Sequence, residues 1–191
     1  MRQKIQMLAM FIVLLTTSIV FAADTYTIDP AHTSFSFTVK HMMISNVPGE
    51  FDKFSGQIMY SPTDLANSSA NVTIDVSSIN TRIDKRDAHL KSPDFFDAAQ
   101  FPTITFVSTK FTSTAIIGNL TMKGVTKEVT IPVTISGPVK TMMGGEAIGI
   151  TGSTTINRQD YGINWNKTLD QGGLAVSNDV TINISIEADA K

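Results

Sequence analysis

Along most of the chain, hydrophobic and polar residues alternate with a period of two, the pattern of strands that bury one face and wet the other. Phe35, Phe37 and Val39 point one way while Ser34, Ser36 and Thr38 point the other. The same parity runs through Phe54, Gly56, Ile58 and Tyr60, through Val72, Ile74 and Val76, and through Ile104 and Phe106. Leu120 and Met122 follow, then Val129, Ile131, Val133 and Ile135, then Ile148, Ile150 and Ile156. The last run is the clearest: Leu174, Val176, Val180, Ile182, Ile184 and Ile186 share one parity, broken only by Asn178.

This predicts an all-β protein of about eight strands. Turn residues separate them at Pro48-Gly49, Pro62, Gly137-Pro138, Gly144-Gly145 and Gly172-Gly173, and short links favour antiparallel neighbours. A sandwich and a closed barrel both fit, and the length of the final run favours a coiled, extended barrel. Pro132 inside its run predicts an edge position or a bulge.

One stretch breaks the alternation. Asn80 to Pro102 is rich in charge and predicts two short helices, Asp84–Lys91 and Pro93–Ala99. Thr81 and Asp84 are candidate caps, and Ser92-Pro93-Asp94 has the order of an N-cap, a first-turn proline and an acid. A helical insertion between strands can plug or lid one end of a barrel.

The N-terminus reads differently. Arg2 and Lys4 precede an apolar run from Met7 to Leu15, which is the layout of a secretory signal peptide. Residues 1–22 are therefore expected to be removed, leaving residues 23–191 as one domain in a periplasmic location. Without Arg2 and Lys4 the remainder has 13 basic and 17 acidic residues, a net charge of −4, which argues against nucleic acid as a partner. The absence of cysteine excludes a disulfide scaffold and a thiolate metal site.

Candidate chemistry is sparse. His32, His41 and His89 have no metal-ligand spacing, and there is no nucleophile elbow, phosphate loop or dinucleotide fingerprint. The charged cluster from Arg82 to His89 admits three readings. Asp87 and His89 could form an acid–base pair; Arg82, Lys85 and Arg86 could clamp an anionic headgroup; or the cluster could be a hydrogen-bond network pinning the insertion to the barrel, the reading we favour. Arg158 beside Asp160 reads as a corner-locking ion pair and as a further headgroup candidate. Aromatic residues are many for so weakly charged a chain. A barrel of about eight strands is either filled by them or holds one ligand, and periodicity alone does not choose.

Several blocks of the chain resemble the YceI-like family of polyisoprenoid-binding proteins. They are Tyr26-Thr27-Ile28-Asp29-Pro30-Ala31-His32-Thr33 with Phe35 to His41, Arg86-Asp87-Ala88-His89 through Asp97, Phe101 to Phe106, Gly118 to Lys127, and Asn157-Arg158-Gln159-Asp160-Tyr161-Gly162-Ile163. The resemblance implies a lipocalin-like extended antiparallel barrel with an elongated apolar pocket. It implies a soluble, often dimeric periplasmic carrier of an isoprenoid or other long-chain lipid, not an enzyme, with no cofactor, metal or catalytic residue to transfer. Within that frame, strand parity nominates Phe35, Phe37, Val39, Ile58, Phe106, Leu120, Met122, Ile131, Val133, Trp165 and Ile182 as the ligand-binding lining. Competing functions are an enzyme acting on such a lipid and a filled barrel with no ligand. An outer-membrane barrel is disfavoured by the scarcity of Tyr and Trp for aromatic girdles.

Overall fold

The computed structural model of the protein describes residues 23–142, 144–169 and 173–190. The basic and apolar segment of residues 1–22, read above as a signal peptide, lies outside the described residues. Among the described residues the strand segments in chain order are β1 (Asp24–Ile28), β2 (Ser34–His41), β3 (Ser45–Phe51), β4 (Phe54–Tyr60), β5 (Ser69–Asp75) and β6 (Ile79–Asn80). After the insertion come β7 (Thr103–Phe111), β8 (Ala115–Met122), β9 (Val125–Lys140), β10 (Glu146–Asn157) and β11 (Val176–Ala190).

Register reduces these eleven segments to eight staves. Both β1 and β2 pair antiparallel with β11, so they continue one another across a kink at residues 29–33. In the same way β3 continues into β4, and β5 into β6, because β1 and β2 take β4 and β3 as partners, and those take β5 and β6. Every stave then pairs with its neighbours in sequence, and β1 and β2 on β11 close the ring. The result is a closed, up-and-down antiparallel barrel, the topology that short links between long strands allow and one that leaves no free sheet edge around most of the wall.

Several expectations need correction. Pro48-Gly49 lies inside β3, whose residues 45–49 pair only with β2, so the proline sits on an exposed edge rather than in a turn. Gly137-Pro138 lies inside β9, next to a register irregularity at Ala147/Gly149, and does not end the strand. Pro132 marks a fork. Before it β9 pairs with β8, and after it with β10. Val133 donates its N–H to the Thr114 carbonyl on the β8 side (2.9 Å), so the neighbouring Pro132 nitrogen faces β10 with no hydrogen to offer.

The helix α1 (Asp84–Lys91) forms as predicted, but Ile83 is its N-cap and no side chain caps it. Pro93–Ala99 is not helical. Ser92 instead ends α1, its carbonyl accepting the N–H groups of Phe95 and Asp97 (3.0 and 2.9 Å) in a series of tight turns. Those turns place Phe95 and Phe96 against the barrel interior, and that burial outweighs the local helix signal.

The kink between β1 and β2 is locked from outside. β11 runs straight past it, with Asp29 donating its N–H to the Glu187 carbonyl (2.9 Å) and Thr33 Oγ1 bonding both the N–H and the carbonyl of Glu187. His32 Nδ1 meets Asp29 Oδ2 at 2.5 Å and lies 4.0 Å from Glu187 Oε1. The bond to Asp29 raises the His32 pKa, and the same bond lowers that of Asp29. The raised His32 value stabilises the fold below the ordinary imidazole pKa of about 6.5, and that stabilisation fades as pH rises through the folded value. The lowered Asp29 value stabilises it above about 3.9, fading as pH falls through the folded value. The difference in melting temperature between the native protein and His32→Asn is therefore expected to be largest between about pH 4 and 6.5 and to shrink toward pH 9. Thermal unfolding of both across that range checks it, and a pH-independent difference would refute the locked pair.

Candidate functional site

The inward parity of the staves encloses a cavity of about 180 Å³ whose wall is almost wholly apolar. Two of the aromatic rings in this wall lie over glycines. The Phe37 ring covers Gly49 across the β2–β3 pair, and the Phe106 ring covers Gly118. A Cβ at either glycine would fall 2.3 or 2.5 Å from a ring carbon, so any larger residue would push that ring into the open space.

One end of the cavity is blind. Ile58, Ala70, Ile116, Ile150 and Ile186 line its floor. Beneath them Tyr26, Ile28, Tyr60, Phe111, Ile148 and Ala188 are buried and packed together, and none of them reaches the open space. The other end is built from connections rather than strands. The insertion contributes Leu90, Phe95 and Phe96, the segment after β10 contributes Arg158 and Ile163, and Val39 and Val176 stand where β2 ends and β11 begins.

Of the residues nominated from parity, Phe35, Phe37, Val39, Ile58, Phe106, Leu120, Met122, Ile131 and Ile182 line the cavity. Val133 and Trp165 do not. Val133 is buried in the packed cluster toward the blind end, leaning over Gly152 so that its methyls fill the wall. Trp165 sits one layer out, its ring 5.0 Å from His89 and 5.1 Å from Phe95, so it backs the lid rather than the lumen. Sequence reasoning missed Phe95 and Phe96, although two adjacent aromatics in an otherwise charged insertion were the available signal.

The polar candidates separate. Arg82 and Lys85 are exposed on the insertion. Arg86 donates from Nε and a terminal nitrogen to Thr81 Oγ1 and the Thr81 carbonyl (2.7 and 2.6 Å). Buried Asp87 accepts from the Thr81 N–H (2.9 Å) and hydroxyl. This is the pinning network that joins the insertion to the end of β6. Asp87 and His89 are not a pair, because His89 Nε2 bonds Asp94 at 3.0 Å instead. Nor do the histidines converge. Asp29, His32 and Glu187 each offer one ligand atom within 4.8 Å of the others, but on the exposed kink described above.

Arg158 alone among the charged candidates borders the cavity, almost wholly through its apolar stem, and it is only 4 % exposed. It follows β10 in a short 3-10 turn, Arg158–Tyr161, which Asn157 caps and which Gly162 ends in the left-handed region (φ 72°). The guanidinium donates to the carbonyls of Ser177 (2.9 Å) and Ile163 (2.6 Å) and to Asn178 Oδ1 (3.3 Å). The expected ion pair with Asp160 does not form. Asp160 points to solvent, and among the described residues no lysine or arginine nitrogen lies within 4.0 Å of a carboxylate. Burial lowers the Arg158 pKa, yet a guanidinium keeps its charge in proteins. Two of its five N–H groups have no acceptor among the described residues. The site is thus a blind apolar tube, with one buried cation behind its wall at the lidded end and no carboxylate within 4.0 Å of that cation among the described residues.

The model of the YceI-like domain matches residues 26–188. A Staphylococcus aureus UPF0312 protein is 43% identical over 163 residues, covering 85% of this chain and 95% of its own. Among solved structures, Burkholderia cenocepacia BcnA is 28% identical with a TM-score of 0.73, covering 84% of this chain and 98% of that one. A Campylobacter jejuni YCEI protein is 29% identical with a TM-score of 0.69, over 97% of this chain and 99% of that one. A polyisoprenoid binding domain from Saccharophagus degradans shares the fold at 17% identity and a TM-score of 0.66, over 90% of this chain and all of that one.

Proposed function

This chain belongs to the YceI-like family, and from that premise we propose that it is a carrier: the barrel holds the apolar tail of an isoprenoid or other long-chain amphiphile and transports or sequesters it unchanged. The observation that carries this reading is the blind, apolar cavity whose one ionisable lining residue is Arg158. A tail entering from the lidded end meets only hydrocarbon down to the floor at Ile58 and Ile150, which leaves the polar head at the lidded end, where the buried Arg158 guanidinium lies behind the apolar wall. A polyisoprenoid binding domain on the same fold supports the choice of ligand class.

The energetics are sufficient. Each methylene taken from water contributes about 0.8 kcal/mol, so ten contribute about 8 kcal/mol and support micromolar affinity before the costs of association. Arg158 is then free to set orientation and selectivity. The commitments of the other polar groups support carriage over turnover, since Asp87 binds Thr81 and His89 binds Asp94. Residues 1–22 would direct the protein to the periplasm, and the family resemblance extends the proposal to a dimer.

The test is mass spectrometry of the organic extract of exported, purified protein. A stoichiometric long-chain amphiphile is the expected result. An empty extract combined with no uptake of added decaprenol would overturn the carrier reading and leave a barrel without ligand.

A further inference from the structure

The lidded end carries a feature that the cavity does not explain. The β2–β3 hairpin turns through Met42, Met43 and Ile44, which are 41 %, 54 % and 83 % exposed. Ile44 donates its N–H to the His41 carbonyl (3.1 Å) across Met42 and Met43, both in the left-handed region at φ 50° and 62°. Two consecutive positive φ values are the signature of a turn that asks for Asn-Gly, Asp-Gly or Gly-Gly, where side-chain sterics are relieved. Methionine at both positions is costly twice, in backbone strain and in apolar surface left in water. A turn chosen for folding would not contain these residues.

The tip is also placed at the cavity. Met42 donates its N–H to the Ala175 carbonyl, and Ala175 to that of Lys167, both at 2.9 Å. The tip thus forms one edge with the segments leading into β11, including exposed Leu174. Directly inward, Val39 and Val176 are cavity wall. Apolar surface therefore runs from the lumen past these valines to the tip. Beside it Lys40 and Lys167 are exposed, and no carboxylate occurs between Pro30 and Gly49, in a chain whose net charge is negative; Asp170 of the neighbouring segment lies outside the described residues.

We propose that Met42-Met43-Ile44 is a membrane-docking tip. It inserts into the headgroup and upper acyl region of an anionic lipid surface, with Lys40 and Lys167 against the headgroups, and brings the lidded end of the barrel to the bilayer so that a lipid passes between membrane and cavity without crossing water. Interfacial binding of this kind scales with buried apolar area plus attraction to anionic lipid. The transfer step rests on the carrier reading above; the docking itself does not.

The double substitution Met42→Asn with Met43→Gly tests it, because it supplies the residues the turn geometry favours and so spares the fold. Its melting temperature is expected to equal or exceed that of the native protein. Flotation with phosphatidylglycerol–phosphatidylethanolamine vesicles should fall by about tenfold or more in the variant, from the loss of two apolar anchors. The native protein's flotation should also weaken with added salt. Transfer of decaprenol from vesicles should slow accordingly, while uptake of decaprenol from detergent solution stays unchanged. Equal flotation of variant and native protein would overturn the proposal. So would native protein that fails to float and instead shifts from dimer to monomer on substitution, which would make the tip a contact between copies. Failure of both proteins to take decaprenol from detergent would count against the carrier reading, with flotation still deciding the docking tip separately.

Discussion

Ala70→Phe is expected to abolish uptake of long-chain lipids while the barrel remains folded. Ala70 sits on the floor of the cavity, opposite Ile58 in the β4–β5 register and buried. A phenyl ring there has open space to enter, so the overpacking cost stays within the range of about 1–3 kcal/mol that a domain of this size survives. The ring takes the place of about four tail methylenes. At about 0.8 kcal/mol each, that removes about 3 kcal/mol of binding, more than a hundredfold in Kd. The effect should depend on tail length, because the ring shortens the tube from its blind end: decaprenol should lose far more affinity than a farnesyl probe. The emission of Trp165, the one tryptophan in the chain, packed on Phe95 of the lid, offers the titration signal. Equal loss for short and long tails would mean the tail does not reach the floor.

Arg158→Met is expected to be strongly destabilising. It leaves two buried carbonyls, Ser177 and Ile163, and the Asn178 amide oxygen without their donor. Each lost charged hydrogen bond is worth about 1.5–3 kcal/mol and is only partly offset by removing a buried, uncompensated charge. A net loss of about 3 kcal/mol lowers the melting temperature by roughly 10 °C for a domain of this size. Calorimetry measures it, and a change of less than 2 °C would show that the guanidinium is not the strut tying the β10 exit to the start of β11. The same variant addresses selectivity. Native protein should prefer decaprenyl phosphate to decaprenol, and the variant should lose that preference while still binding the alcohol. An unchanged preference would place the headgroup elsewhere.

Much of this molecule is written in its sequence. Period-two alternation identifies the staves because a strand's side chains alternate between lumen and solvent whatever surrounds them. That rule placed Phe35, Phe37 and Val39 on the wall, and it carried Leu120, Met122 and Ile182 there as well. Helix α1 was legible as a break in that alternation, a charged segment between strands, although the caps proposed for it at Thr81 and Asp84 are not used. The pinning role of Asp87 was legible only as one of three readings, because which partner a carboxylate finds depends on where the chain has brought it.

Tertiary structure decided the rest. Alternation says which residues face inward but not whether the inside is full. Whether Phe37 and Phe106 fill the lumen or lie flat depends on Gly49 and Gly118 across the strand pairs, one of them in a Pro-Gly dipeptide that reads locally as a turn. Pro93–Ala99 has the local signature of a helix, yet the burial of Phe95 and Phe96 at the mouth outweighs it. Arg158 looked like half of an ion pair with its near neighbour Asp160, but the 3-10 turn sends one inward and the other out. The common physical reason is range. Strand periodicity is a property of the local backbone, whereas the emptiness of the cavity, the closing of its end and the isolation of its one charge depend on contacts between segments far apart in the chain.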